Sequence, residues 1–146
     1  MLYIQDSDGD TWLDVVELLS EREDHDMVLC LHPGSAGDAL PDPFSLPVAP
    51  LILERVTTYP DGAEPPCSSR VRVSAELVDL LRPRASEFED WGDSLALYPL
   101  KEWGWAAALI PHQRVILVRD EQLHGFLDAV GIPVNYEAPD GWQSDV

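Results

Sequence analysis

Apolar residues recur along the chain at two spacings, and each spacing predicts one kind of element. Short continuous or alternating apolar runs bounded by turn residues are typical of β-strands. The run at 103–110 is apolar on both of its alternating faces, which predicts a central strand covered on both sides. The segments predicted as strands are 2–5, 27–31, 51–58, 70–73, 103–110, 115–118 and, as a last edge strand, 134–136.

Helical spacing appears in three segments. Apolar residues within 11–19 recur at helical spacing and favour a helix, although the β-branched pair at 15–16 would also suit a strand. Ser74 is a good N-cap and Pro83 a stop signal, so a second helix is predicted between them. Asp120 and Gly131 delimit a third helix in the same way. The predicted apolar faces of the second and third helices consist of Leu77, Leu80, Leu81, Leu123, Phe126, Leu127 and Val130.

The order of these elements predicts the fold class. Strands and helices are mixed without a regular βαβ alternation, which indicates an α+β fold on a mainly antiparallel sheet with two to three helices. The segment 32–50 contains five prolines and predicts a long proline-rich loop. Because no repeat or composition break marks a boundary, we predict a single domain at 1–137 and a C-terminal tail at 138–146.

Charge balance is the most unusual property of the composition. The chain carries 27 acidic residues against 9 basic ones, a formal net charge of −18 at pH 7. Such a field repels phosphate backbones and anionic membrane surfaces, so we expect neither nucleic acid nor membrane as a partner. The predominance of arginine over lysine suggests a GC-rich bacterial genome. Adaptation to high salt is an alternative explanation for the acidity.

Acidic residues are concentrated at the N-terminus, where the first 26 residues contain nine of them and one arginine. We expect this acidic end to dock onto a basic protein partner, because clustered carboxylates speed association with a positive surface. The expectation requires the carboxylates to gather on one face, free of the protein's own arginines. The residues predicted to bind the partner are Asp6, Asp8, Asp10, Glu21, Glu23, Asp24 and Asp26.

The segment 6–17 also matches the ligand spacing of an EF-hand calcium loop. It opens as a turn, in which aspartates cap their own backbone and Gly9 is expected to accept a positive φ. Thr11 stands where such a loop needs glycine for its sharp bend. A solvated acidic turn is the competing interpretation, and Ca²⁺ is the one cofactor suggested. The side chains predicted to bind calcium are Asp6, Asp8, Asp10, Asp14 and Glu17.

Patterns typical of catalysis are weak. The chain has two cysteines, Cys30 and Cys67, which form neither a disulfide framework nor a zinc-type spacing with its histidines. Ser35 lies in a glycine-containing loop that lacks the strand-to-helix elbow of a serine nucleophile. The first residues lack the features of a secretory signal, which predicts a cytoplasmic protein. We therefore favour a protein without catalytic activity.

Three functions remain open on the sequence alone. The first is a non-catalytic acidic binding protein of the immunity, antitoxin or nucleic-acid-mimic inhibitor type, whose carboxylates occupy a partner's lysines and arginines. The second is a small calcium-binding module that uses the segment 6–17. The third is an accessory subunit of a larger bacterial assembly. Tryptophans 91, 103, 105 and 142 are predicted mainly as core residues, with one or two as interface anchors.

Overall fold

The computed structural model describes residues 1–22, 26–32, 70–91, 94–100 and 104–139. The predicted strand at 51–58 and most of the proline-rich loop lie outside these residues. The strands are β1 (Leu2–Ile4), β2 (Met27–His32), β3 (Arg70–Arg72), β4 (Ser94–Pro99), β5 (Ala107–Ile110) and β6 (Val115–Val118). The α-helices are α1 (Gly9–Arg22), α2 (Ala75–Leu81), α3 (Phe88–Trp91) and α4 (His124–Ala129). Short 3₁₀ helices occupy Arg82–Glu87, Pro111–Gln113 and Glu121–Leu123.

The six strands form one sheet in the order β1-β6-β5-β4-β2-β3, and each neighbouring pair is antiparallel. The predicted α+β fold on an antiparallel sheet is therefore confirmed. Helix α1 connects β1, at one edge, to β2, next to the other edge. It must therefore cross the sheet. Among the described helices, none is long and apolar enough to pass through a bilayer.

Side chains on the two faces of the sheet form two buried clusters, because successive residues of a strand point to opposite faces. One face packs against the helices, which contribute Trp12, Leu13, Leu81 and Leu127 among others. No described helix contributes to the second cluster, yet its side chains are also buried. The second cluster consists of Val28, Cys30, Ala96, Tyr98, Trp105, Ala108, Ile110, Val115 and Leu117.

The central strand prediction is confirmed in position but is too long. Strand β5 covers only Ala107–Ile110 of the predicted 103–110, and all four of its residues are buried. Its neighbour β4, Ser94–Pro99, is a strand that the sequence pattern did not predict. The predicted edge strand at 134–136 is reduced to an isolated bridge between Asn135 and Tyr3.

Two predicted helix starts are confirmed by hydrogen bonds. The Ser74 hydroxyl accepts a hydrogen bond from the Leu77 N–H at 3.1 Å and so caps α2. The Asp120 carboxylate accepts one from the Gln122 N–H at 3.0 Å, at the start of the 3₁₀ turn that leads into α4. These side chains satisfy N–H groups that have no partner within the first turn of a helix.

The predicted apolar faces of α2 and α4 are only partly buried. Leu127 is 1% exposed, whereas Phe126 is 42%, Val130 59% and Leu80 55% exposed. The apolar face predicted for each helix is therefore wider than the face that is buried. Apolar surface is consequently left at the C-terminal end of α4.

The turn at 6–9 has the predicted place but a different backbone. The left-handed conformation belongs to Asp6, with φ of 53°, and not to Gly9. Gly9 is instead the first residue of α1, and a Cβ atom there would lie 2.3 Å from the carbonyl oxygen of Ala85. A glycine is needed at this position because of a close backbone approach.

Candidate functional site

Helix α1 carries most of the described acidic candidates, and Asp8 caps its N-terminus. One carboxylate oxygen of Asp8 accepts hydrogen bonds from the Thr11 N–H at 2.8 Å and from the Thr11 hydroxyl at 2.9 Å. These bonds stabilise the ionised form, so the pKa of Asp8 is lowered below its ordinary value. The structure thus assigns Asp8, predicted to bind a partner or calcium, a role in fixing the start of the helix.

Three further carboxylates of α1 share one guanidinium. Arg82, at the start of the 3₁₀ helix after α2, lies 2.6 Å from an Asp14 carboxylate oxygen, 3.4 Å from Glu17 and 3.6 Å from Asp10. The hydrogen bond to Asp14 is the main reason why the pKa of Arg82 is raised above its ordinary value. The single positive charge of Arg82 balances one of these three carboxylates, so two negative charges on this side of α1 remain unbalanced.

We call the row formed by Asp10, Asp14, Glu17 and Glu21 the acidic edge of α1. Successive members are three or four residues apart, which places them on one side of a helix. Glu21 is exposed, and no described cation lies within ion-pair distance of it. The acidic edge is therefore continuous from the first turn of α1 to its last.

The other predicted partner-binding residues are not all on this edge. Asp6 is exposed on the turn before α1. Asp26 precedes β2, and its carboxylate lies 3.5 Å from the guanidinium of Arg72. Glu23 and Asp24 lie outside the described residues. The expectation that all of these carboxylates are free of the protein's own arginines is wrong for Asp10 and Asp26.

The predicted calcium loop at 6–17 is a helix over most of its length. Because α1 begins at Gly9, the residues from Asp10 to Glu17 follow helical geometry rather than the curved path of an EF-hand loop. The Arg82 guanidinium also occupies the space between Asp10, Asp14 and Glu17. Across the described ranges, no group of three or more His, Cys, Asp or Glu side chains is placed to hold a metal ion.

A groove runs along the acidic edge on the side that faces the end of α4. One wall is α1, with three carboxylates and one leucine, and the other is the turn after α4. We call it the α1–α4 groove, and its lining residues are Asp14, Glu17, Leu18, Glu21, Val130 and Ile132. The groove combines an apolar floor with an acidic rim.

A second cleft lies at the opposite end of α1, beside its N-terminus. Its polar side chains include Ser7, Asp8, Glu89 and Arg114. Ser7 is buried, and its hydroxyl donates a hydrogen bond to the Ile4 carbonyl oxygen at 2.8 Å, while its N–H donates to the Arg114 carbonyl oxygen at 2.9 Å. Asp8 is the helix cap. These bonds join the turn before α1 to the β5–β6 connection, which gives the cleft a structural role.

Sequence reasoning missed the residues that shape the groove. Val130 was predicted on the apolar face of the third helix without a site role, and Ile132 was not singled out. Arg82, which binds the acidic edge outside the groove, was not linked to α1. The stop signal at Gly131 was recognised, and this glycine, with φ of 82°, positions the two apolar residues on either side of it. The apolar content at the end of α4 was the available signal. The predicted tryptophans divide between buried Trp105, half-buried Trp91, and Trp103 and Trp142, which lie outside the described residues.

A scan against protein-family models found no match, and searches of curated proteins and of solved structures also found none. Function is therefore inferred from the side chains of this chain alone.

Proposed function

We propose that this protein is a non-catalytic acidic binding protein that docks onto a basic protein partner. The observation that carries the proposal is the acidic edge of α1, where four carboxylates lie on one side of a single helix with one guanidinium among them. A continuous row of like charge creates a local field that attracts lysine and arginine side chains. The overall charge of −18 extends this attraction beyond the contact itself.

Arg82 supports the proposal as an internal example of the contact. Its side chain is about one third exposed, and it binds carboxylates of α1 from a separate element of the fold. The spacing of Asp10, Asp14 and Glu17 therefore suits a guanidinium. A partner's arginine or lysine would meet the same chemistry at Glu21, the member of the edge that lies beyond the reach of Arg82.

Inhibitors of the immunity or nucleic-acid-mimic type use this physics, because their carboxylates occupy basic residues that would otherwise bind phosphate or substrate. A partner of that kind would present a basic surface of complementary shape. Its affinity for this protein would fall steeply as salt concentration rises, since exposed charges are screened within about 10 Å at 0.1 M salt.

The test is capture from a lysate of the source organism on the immobilised native protein and on two double variants. Glu17→Gln with Glu21→Gln neutralises the far half of the acidic edge. Glu76→Gln with Asp79→Asn removes the same charge from exposed positions of α2 and serves as the matched control.

The proposal expects a basic protein that the native and control proteins retain at low salt, that elutes as salt rises, and that the acidic-edge variant loses. Equal loss on both variants would show that only net charge matters, and salt-insensitive capture would show that charge does not. Either result would overturn the proposal.

A further inference from the structure

The α1–α4 groove offers more than charge, because its carboxylates border an apolar floor. Ile132 is 7% exposed and Leu18 is half-buried against the main core, so both form a fixed base. Val130 stands beside them with 59% of its surface exposed. A cation alone would contact the rim and leave this apolar surface in water.

Both walls of the groove are held by hydrogen bonds. The α1 wall is a fourteen-residue helix capped by Asp8. The α4 wall ends in a Schellman turn, in which the Ile132 N–H donates to the Leu127 carbonyl oxygen at 2.9 Å and the Gly131 N–H to that of Asp128 at 3.0 Å. The groove is thus formed before any partner arrives, which lowers the entropic cost of binding.

Exposed large apolar side chains occur in and directly after α4, the helix that ends at this groove. Among the described residues these are Phe126 and Val130, whereas Leu80 lies on α2 and Tyr136 beside His124 at the other end of α4. The Arg22 guanidinium lies 3.3 Å from the centre of the Phe126 ring. A contact between a cationic group and an apolar side chain therefore already occurs in this region of the protein.

We propose that the α1–α4 groove is the docking site for a partner segment that carries an apolar side chain between lysine or arginine residues. The apolar side chain lies on Leu18, Val130 and Ile132, and the flanking basic heads bind the carboxylates of the rim. Charge complementarity with the rim selects the basic residues. Burial of the apolar floor on binding selects the apolar residue between them. This inference rests on the proposed function and assigns it a site and a partner chemistry.

Two synthetic peptides of equal length and equal charge separate the apolar from the electrostatic contribution. One is an amphipathic leucine–lysine peptide, and the other replaces every leucine with serine. Affinity for the native protein is measured by fluorescence anisotropy at low and at physiological salt. The leucine-containing peptide is expected to bind more tightly, and to lose less of its affinity as salt rises.

Val130→Ser tests the floor of the groove, and Leu80→Ser on α2 is its matched control, since the two side chains are 59% and 55% exposed. Val130→Ser is expected to weaken binding of the leucine–lysine peptide about fivefold. Leu80→Ser should change it less than about twofold. Neither residue supports the core, so circular dichroism and urea midpoints should show that both variants remain folded.

Equal affinity for the two peptides, with no effect of Val130→Ser, would overturn the groove as the docking site. If the double variant with Glu17→Gln and Glu21→Gln then still bound both peptides more weakly than the native protein, the proposed function of the acidic edge would stand. A native protein that binds neither peptide at low salt would contradict both proposals. If Val130→Ser and Leu80→Ser lowered the affinity for the leucine–lysine peptide to the same extent, the assignment of the groove would also be overturned.

Discussion

Gly9 and Ala85 approach so closely that a Cβ atom on residue 9 would lie 2.3 Å from the Ala85 carbonyl oxygen. The contact joins the first residue of α1 to the 3₁₀ helix at Arg82–Glu87. It brings Arg82, at the start of the same 3₁₀ helix, within reach of Asp10 and Asp14. The position of Arg82 beside the acidic edge thus depends on the absence of a side chain at Gly9.

Gly9→Ala should destabilise the protein. The added Cβ would also meet the Ala85 carbonyl carbon and Cβ at 2.8 Å, and backbone atoms cannot move aside as the end of a flexible side chain can. We expect the free energy of unfolding to fall by about 2–3 kcal/mol, measured by urea denaturation. Gly125→Ala in α4 is the control, since no heavy atom lies within 4 Å of its Cβ position. It should stabilise by about 0.5–1 kcal/mol, and equal loss in both variants would contradict the prediction.

The sequence predicted elements well where local signals agreed. Ser74 and Asp120 mark helix starts through their side-chain oxygens, and Gly131 marks a helix end through its positive φ, so no knowledge of the rest of the chain was needed. Strand β4 was missed because its residues, SLALYP, are rich in leucine and alanine, which locally favour helix over strand. It is a strand because β2 and β5 pair with it on either side.

The candidate site could be predicted only in part, because some of its contacts join residues that are far apart in the sequence. Glu21 follows from helical spacing along α1, but Arg82 is 65 residues from Glu17 in the chain and nothing local joins them. Asp8 was grouped with the binding residues because a capping aspartate and a binding aspartate look alike in sequence. The spacing of Val130 predicts that it lies on the apolar face of the third helix, but spacing does not show whether a neighbouring residue covers that side chain.

Asp8 should make stability depend on pH in the acid range. Its folded pKa is lowered by the Thr11 hydrogen bonds, so the ionised cap stabilises the protein above the ordinary value of 3.8, and this contribution is lost as pH falls through the lower folded pKa. Asp8→Ala should reduce stability by about 1 kcal/mol at pH 7, with a smaller deficit in acid. Asp8→Asn keeps a capping oxygen without a titrating group. Its urea midpoint relative to Asp8→Ala should therefore be independent of pH, and a pH-dependent difference would contradict this role.

Cys30 reports on the second buried face of the sheet. It carries a thiol with 0% exposure, on strand β2 between β3 and β4. In a Cys67→Ser background, a thiol reagent should label native protein at least about a hundredfold more slowly than urea-unfolded protein, because labelling requires the strand to open. Labelling of the native protein at the unfolded rate would mean that this face is accessible. Cys30→Ala provides the blank for reaction elsewhere.

Arg82→Gln should change stability and binding in opposite directions. Loss of the guanidinium leaves Asp10, Asp14 and Glu17 to repel one another, and the free energy of unfolding should fall by about 0.5–1 kcal/mol at low salt and by less at high salt. The same change frees these carboxylates for an external cation, so affinity for the leucine–lysine peptide should rise about threefold at low salt.

Arg84→Gln removes an equal charge from the same 3₁₀ helix, where Arg84 pairs with Glu87 rather than with α1. It should leave peptide affinity within about twofold of native, because the acidic edge is unchanged. Titration of both variants by anisotropy, with urea midpoints recorded in parallel, separates a local from a global effect. An equal rise in affinity in the two variants would mean that the peptide responds to net charge. A fall in affinity in Arg82→Gln would mean that Arg82 holds the acidic edge in the geometry that binding requires.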